Sequence, residues 1–287
     1  MNANSVHGQI TDRIIALLEQ GTVPWQKPWK IRTGRPRNLT SKKPYRGINV
    51  FLLMTMGYES PFWLTFRQAL ALGGHVRKGE KACQIVFWKQ LKIEDEKSDA
   101  PRKIPLLRYY HVFNLAQCEG LGNSPAPEES ADGLSKPEEI VAKMPEPPAI
   151  QHGMVRASYS PRTDCVNMPA RERFDHEGGY YSTLFHELIH ATGHEKRLQR
   201  PTLTESMGYG SDPYCREELI AEMGAAFLCG EAGIAERTIE SSTAYLQYWL
   251  EQLKSDNTLI VQAAAQAQRA ADFILGRTFA ESEAAHD

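Results

Sequence analysis

The sequence predicts an α+β fold in two units. A small mixed α/β unit occupies residues 1–120, and beyond a linker over 121–148 a second unit occupies 149–287, with a β-hairpin edge and a helix carrying H-E-x-x-H. Three observations predict it. The apolar run from Tyr180 to His194 places His186-Glu187-Leu188-Ile189-His190 on a helical period. β-rich runs at 83–89 and 106–114 stand in the first half, whereas long amphipathic, alanine-rich runs close the second. Charge is divided as well: residues 1–120 hold 19 Lys+Arg against 9 Asp+Glu, a net +10, and the remainder holds 14 against 26, a net −12. Such a division points to a polyanion as the partner of the first half and to a different task for the second.

The first element is a short amphipathic helix from Gln9 to Gln20, with Ile10, Ile14, Leu17 and Leu18 at helical spacing, Thr11 and Asp12 near its start and Gly21 past its end. Prolines forbid helix in the next stretch, Val23 to Asn38, where Trp25 and Trp29 alternate with Lys30 and Arg35; Lys42, Lys43, Tyr45 and Arg46 extend that alternation. Rings beside cations suit single-stranded DNA, because bases stack on the rings while Lys and Arg follow the phosphates. The competing role for Trp25 and Trp29 is as core anchors, the role expected of Phe51, Phe62 and Phe66. A helix over 61–72 with Thr65 as a possible N-cap ends at Gly73-Gly74, and a basic turn with Lys78 and Lys81 leads into the strand 83–89, which carries Trp88. These residues complete the expected DNA surface.

Residues 121–148 shift to Gly, Pro, Ser and Glu, as a linker does, with a short helix from Pro137 to about Met144. Two strands follow, 155–159 and 165–168, joined by a turn and forming a candidate ledge for an extended peptide. Five scattered cysteines without a C-x-x-C pair suggest neither a disulfide framework nor a cysteine metal site. A start without an apolar signal region, and no run approaching a membrane span, lead to the expectation of a cytoplasmic protein.

On the motif helix, His186 and His190 share a face one turn apart and offer two imidazoles to one Zn2+, or to another divalent metal such as Mn2+. Glu187 then sits beside the ion, where its carboxylate can accept a proton from a water that the ion has made acidic. A third ligand is needed. The helical stretch 214–228 supplies Glu218 and Glu222 on one face; Glu218 is taken as the ligand and Glu222 as the group that hydrogen-bonds a ligand histidine, although the spacing satisfies the reverse order equally. His194 comes two residues too early for the third histidine of an H-E-x-x-H-x-x-G-x-x-H site, a position held here by Lys196. Tyr209, Tyr214 and His194 are the candidate oxyanion donors. Helices over 238–254 and 257–275 close the unit.

The segments Pro24-Trp25…Pro28-Trp29, Tyr45-Arg46-Gly47-Ile48-Asn49, Leu64-Thr65-Phe66-Arg67-Gln68-Ala69, Val76-Arg77-Lys78-Gly79-Glu80 and Val112-Phe113-Asn114-Leu115-Ala116-Gln117 resemble the N-terminal domain of ArdC antirestriction proteins and the front part of plasmid TraC primases. Tyr180-Tyr181, His186 to His190, Thr192-Gly193-His194 and Arg216 to Glu222 resemble the zincin-like metallopeptidase domain of the same family. The resemblance implies a conjugation-associated protein that binds single-stranded DNA and shields incoming plasmid DNA from host restriction. It leaves open whether the metal centre hydrolyses a protein, such as a component of the host restriction system, or whether the chain serves a primase as an accessory.

Overall fold

The computed structural model describes residues 5–26, 34–93, 102–121, 136–204, 212–234 and 243–277. The first helix, α1 (Val6–Glu19), starts earlier than expected because Ser5 is its cap: the Ser5 hydroxyl accepts from the Gly8 N–H at 3.0 Å. β1 (Arg37–Asn38) and the apolar helix α2 (Ile48–Met54) follow. The helix expected over 61–72 is split into β2 (Phe62–Thr65) and α3 (Phe66–Ala71). The capping box made by Thr65 and Gln68 marks the true boundary, and it bars helix on its N-terminal side. After β3 (His75–Val76), the long strands β4 (Cys83–Ile93) and β5 (Arg102–Asn114) extend well past the runs read from composition, and β6 (Cys118–Glu119) pairs back on β3. The main sheet of this half runs β1-β2-β5-β4.

In the second half, α4 (Pro137–Lys143) precedes a three-stranded sheet in the order β7-β9-β8, with β7 (Ala149–His152), β8 (Ser158–Ser160) and β9 (Cys165–Met168). The hairpin expected here is β8–β9, antiparallel and shorter at its start than 155–159, while β7, parallel to β9, has no alternating pattern to announce it. The helices are α5 (Glu177–Thr192), α6 (Pro201–Thr204), α7 (Asp212–Ala232), α8 (Thr243–Ser255) and α9 (Leu259–Ile274). None among the described residues is long and apolar enough to cross a membrane.

The halves read as separate in charge share one core. Phe51 of α2 stacks on Phe227 of α7 with ring centroids 4.8 Å apart, and Trp25 meets Trp249 of α8 edge to face at 5.5 Å. The Thr11 hydroxyl donates to the Asn257 carbonyl at 2.7 Å, and the Gly47 N–H donates to Gln268 of α9 at 3.1 Å. Within the stretch read as linker, α4 is packed: Ile140 and Met144 are buried in the same core, whereas residues 122–135 lie outside the described residues.

Two glycines let the metal-motif helix sit where it does. A Cβ on Gly224 of α7 would lie 2.6 Å from Ile189 of α5, so the two helices could not keep their close approach with any larger residue. A Cβ on Gly193, just past α5, would lie 2.9 Å from the guanidinium of Arg200. Arg197, beyond the same glycine, ties the end of α5 to the β8–β9 turn: its guanidinium pairs with Asp164 and donates to the Tyr159 hydroxyl at 3.1 Å and to the Glu146 carbonyl at 2.9 Å.

Candidate metal centre and flanking surfaces

α5 is buried along most of its length, with Leu184, Phe185, Leu188, Ile189 and Ala191 packed into the core, so its histidines are held by a rigid scaffold. His186, His190 and Glu218, brought in by α7, converge to within 4.8 Å of one another. The His186 and His190 Nε2 atoms are 3.1 Å apart, and the Glu218 carboxylate lies 3.4 Å from His186 Nε2 and 3.5 Å from His190 Nε2. An ion bonded tetrahedrally at about 2.1 Å separates its ligand atoms by roughly 3.4 Å. The three separations therefore fit a single divalent ion, and two nitrogens with one carboxylate oxygen suit zinc.

The electrostatics favour a cation there. Burial pulls the His186 pKa down, but its hydrogen bond to Glu218 and the charges of Glu187, Glu218 and Glu222 outweigh that and hold it at about 9. Burial pushes Glu218 up, yet hydrogen bonding to His186, the nearby imidazoles and the Tyr214 hydroxyl bring it down to about 2. The negative field that favours an imidazolium favours a metal ion equally. Glu187 is buried beside His186, in the position its place in the motif predicts.

The carboxylate against His190 Nδ1 is that of Glu217, the residue before Glu218. Glu217 accepts from His190 Nδ1 at 3.4 Å, which puts the proton on Nδ1 and leaves the Nε2 lone pair facing the other two ligands. Glu222, five residues later, accepts from Gln26 Nε2 at 3.4 Å and its charge acts on His186, whose Nδ1 has no hydrogen-bond partner among the described residues. Glu217 is itself anchored by Arg200 in a two-pronged ion pair and by the Thr202 hydroxyl at 2.6 Å. Burial would raise the Glu217 pKa, but Arg200 and His190 force it far below the usual carboxylate range. Arg200 also donates to Thr192 Oγ1 at 2.6 Å and to the Ile189 carbonyl at 2.7 Å, closing the last turn of α5. Sequence reasoning missed Glu217, Arg200 and Thr202; the adjacent pair Glu217-Glu218 is the one hint, and spacing does not say which of them points where.

Of the oxyanion candidates, Tyr214 is hydrogen-bonded to Glu218, His194 is buried with Nδ1 accepting from the Lys196 N–H at 3.2 Å, and Tyr209 lies outside the described residues.

The residues expected to touch DNA separate into groups. Lys42, Lys43, Lys78 and Lys81 are exposed; Lys42 holds a φ of +59° and lies 5.0 Å above the Phe62 ring. Arg35 and Arg46 are instead committed to the shared interface, Arg35 pairing with Glu231 of α7 and Arg46 with Asp272 of α9. Tyr45 is buried with its hydroxyl near Asn38, and burial pushes its pKa up to about 12. Trp25 is 1% exposed, which leaves no ring face for a base, so of its two expected roles the core one holds. Trp29 and Lys30 lie outside the described residues, as does the side chain of Trp88, whose backbone is part of β4. Because Trp25 Nε1 makes no hydrogen bond among the described residues, Trp25→Phe is expected to cost about 1–2 kcal/mol of stability, visible as a lower Tm, while changing oligonucleotide affinity less than about twofold.

Fold and site together define a zincin-like metal centre built into one body with a cationic α/β unit. The family model for a zincin-like metallopeptidase matches residues 137–266, and that for the N-terminal domain of anti-restriction factor ArdC matches residues 4–113. The chain belongs to the ArdC antirestriction family. The crystal structure of the antirestriction ArdC protein from plasmid R388 in its metal-free state is 39% identical, with a TM-score of 0.77 over 94% of this chain and 96% of that one. Its Mn(II)-bound structure gives a TM-score of 0.76 over 95% and 97%. Protein y4eC of Sinorhizobium fredii (strain NBRC 101917 / NGR234) is 34% identical over 94% of this chain and 91% of its own length. A DNA primase TraC of Escherichia coli is 36% identical over 94% of this chain, which spans 27% of that primase.

Proposed function

We propose that this protein binds single-stranded DNA with little sequence preference and protects incoming conjugative plasmid DNA from host restriction in the cytoplasm. One observation carries the reading: the likeness to the antirestriction ArdC protein of R388 runs through both halves together, over 96% of that chain. Two others support it, the net charge of +10 on the first 120 residues and the kinship of the chain with DNA primases. Cations on the phosphates release counterions and supply affinity without reading bases, so binding should weaken steeply with salt.

In this reading His186, His190 and Glu218 hold a divalent ion, zinc or manganese. When bound, the ion supplies Lewis acidity and lowers the pKa of a water. Glu217 keeps His190 in the tautomer that turns Nε2 toward the ion, and Glu218 offsets its charge. The burial of Glu187 next to His186 favours a second reading, a peptidase directed at a host restriction protein, in which the Glu187 carboxylate accepts a proton and returns it to the leaving amine.

Glu187→Gln separates the two. The variant is expected to retain metal, measured by elemental analysis, and oligonucleotide affinity within about twofold, since amide and carboxylate match in size. Undiminished protection of transferred plasmid DNA in a conjugation assay into a restricting host supports the DNA shield. Protection lost with DNA binding intact supports the peptidase. A wild-type protein that ignores oligonucleotides at low ionic strength overturns the first reading.

A further inference from the structure

The strands β4 and β5 form the longest paired element of the first half, in register from Cys83 opposite Val112 to Ile93 opposite Arg102. Their composition is one-sided. Lys89, Lys92, Arg102, Lys103 and Arg108 lie on the strands, and not one Asp or Glu does; the acids of this hairpin, Glu94, Asp95, Glu96 and Asp99, all belong to the connection. Lys92 stands directly opposite Lys103 in the register. Like charges directly opposed across a strand pair repel, and no acid on either strand offsets them.

Aromatic residues are interleaved with these cations. Tyr109 is 46% exposed and Tyr110 43%, beside exposed Arg108 and His111. Tyr110 meets Phe87 edge to face at 5.6 Å, and Phe87 in turn reaches the buried Tyr45 at 6.4 Å, so a ladder of rings climbs from the core to the surface. Tyr109 meets His111 in the same edge-on way at 5.5 Å. Neither tyrosine is stacked face to face on another ring, and Arg108 has no ion pair among the described residues. Tyr110 and Arg108, two residues apart on β5, share one face of the ribbon with Phe87, while Tyr109 and His111 lie on the other; a half-exposed ring anchored from beneath, with an unstacked face and a cation at its side, is the part from which a stacking platform for unpaired bases is made. A polyanion laid along the ribbon meets Arg108 and finds no acid on either strand.

We infer that the β4–β5 ribbon, through Arg108 and Tyr110 on one of its faces, is the surface that grips single-stranded nucleic acid, a base stacking on Tyr110 and a phosphate pairing with Arg108. This rests on the DNA-binding reading above and moves its centre away from the tryptophan-rich segment around Trp25.

The test is fluorescence anisotropy with labelled oligothymidylate, titrated at several salt concentrations, using the full chain and the variants Arg108→Ala, Tyr109→Ala, Tyr110→Ala and Leu70→Ala. Leu70, 54% exposed on α3, reports what loss of an exposed apolar side chain elsewhere does. Tyr110→Ala is expected to weaken binding about tenfold, and Tyr109→Ala, on the opposite face, to bind within about twofold of the wild type. Arg108→Ala should reduce the dependence of log affinity on log salt by about one phosphate contact, and Leu70→Ala should bind as the wild type does. All four side chains are at the surface, so an unchanged Tm excludes unfolding as the cause. If the wild type binds no oligonucleotide, the DNA-binding reading itself fails. If it binds and Arg108→Ala and Tyr110→Ala match it in affinity and salt slope, that reading stands and the ribbon is overturned. Equal affinity for a duplex, with an equal loss in the Tyr110 variant, would also overturn it, because paired bases present no faces to the ring.

Discussion

Arg200→Ala is expected to cost about 3–5 kcal/mol of folding stability, among the largest effects of any single substitution in this protein. Arg200 is 3% exposed, and it is the cation against which the buried Glu217 carboxylate is balanced. Truncation leaves that carboxylate in the core with the Thr202 hydroxyl and one imidazole N–H, too little to replace the lost water. The same change uncaps the last turn of α5, since Arg200 donates to the Ile189 carbonyl and to Thr192. Thermal or urea unfolding of the metal-free protein measures the loss. The double variant Arg200→Met with Glu217→Leu should recover much of it, because an apolar pair of similar volume carries no uncompensated charge. A single variant as stable as the wild type would show that the pair contributes nothing to the fold.

The second large effect is expected at the ion. Glu217→Gln should weaken the affinity for Zn2+ by about 10–100-fold, since the amide holds His190 less firmly in the required tautomer and makes Nε2 less basic. His190→Ala, which removes a ligand outright, should weaken it further still. Glu222→Gln should have the smaller effect, for Glu222 accepts a hydrogen bond from Gln26 at 3.4 Å. Competition with a chromophoric chelator, at a temperature where every variant is folded, gives all three constants. A Glu222 variant that loses more affinity than the Glu217 variant would restore the assignment drawn from spacing alone.

That reversal shows what spacing conveys. Helical periodicity places residues on faces, so His186 and His190 could be paired from the text of the chain, and Glu218 could be named as a carboxylate within reach. Glu217 stands one residue away and is turned by about 100° on the helix. Choosing between it and Glu222 needs the position of Arg200, which arrives through a loop past Gly193 and has no sequence period. The cationic segment was misread in part for a related reason. Alternation of rings and cations looks alike whether the partner is a nucleic acid or the other half of the same protein; Trp25, Arg35 and Arg46 meet Trp249, Glu231 and Asp272. The split charge that suggested two bodies is in part the complementarity with which one body is held together.

By itself the sequence determined the metal-motif helix, the strands and helices with strong periodicity, and the family, because each of these rests on contacts between residues a few positions apart or on motifs in a fixed order. Tertiary structure alone decided that both halves share one core, that Glu217 serves His190, and which rings are buried and which face solvent. Those outcomes depend on groups distant in the chain competing for the same partner, and burial, not spacing, selects the winner.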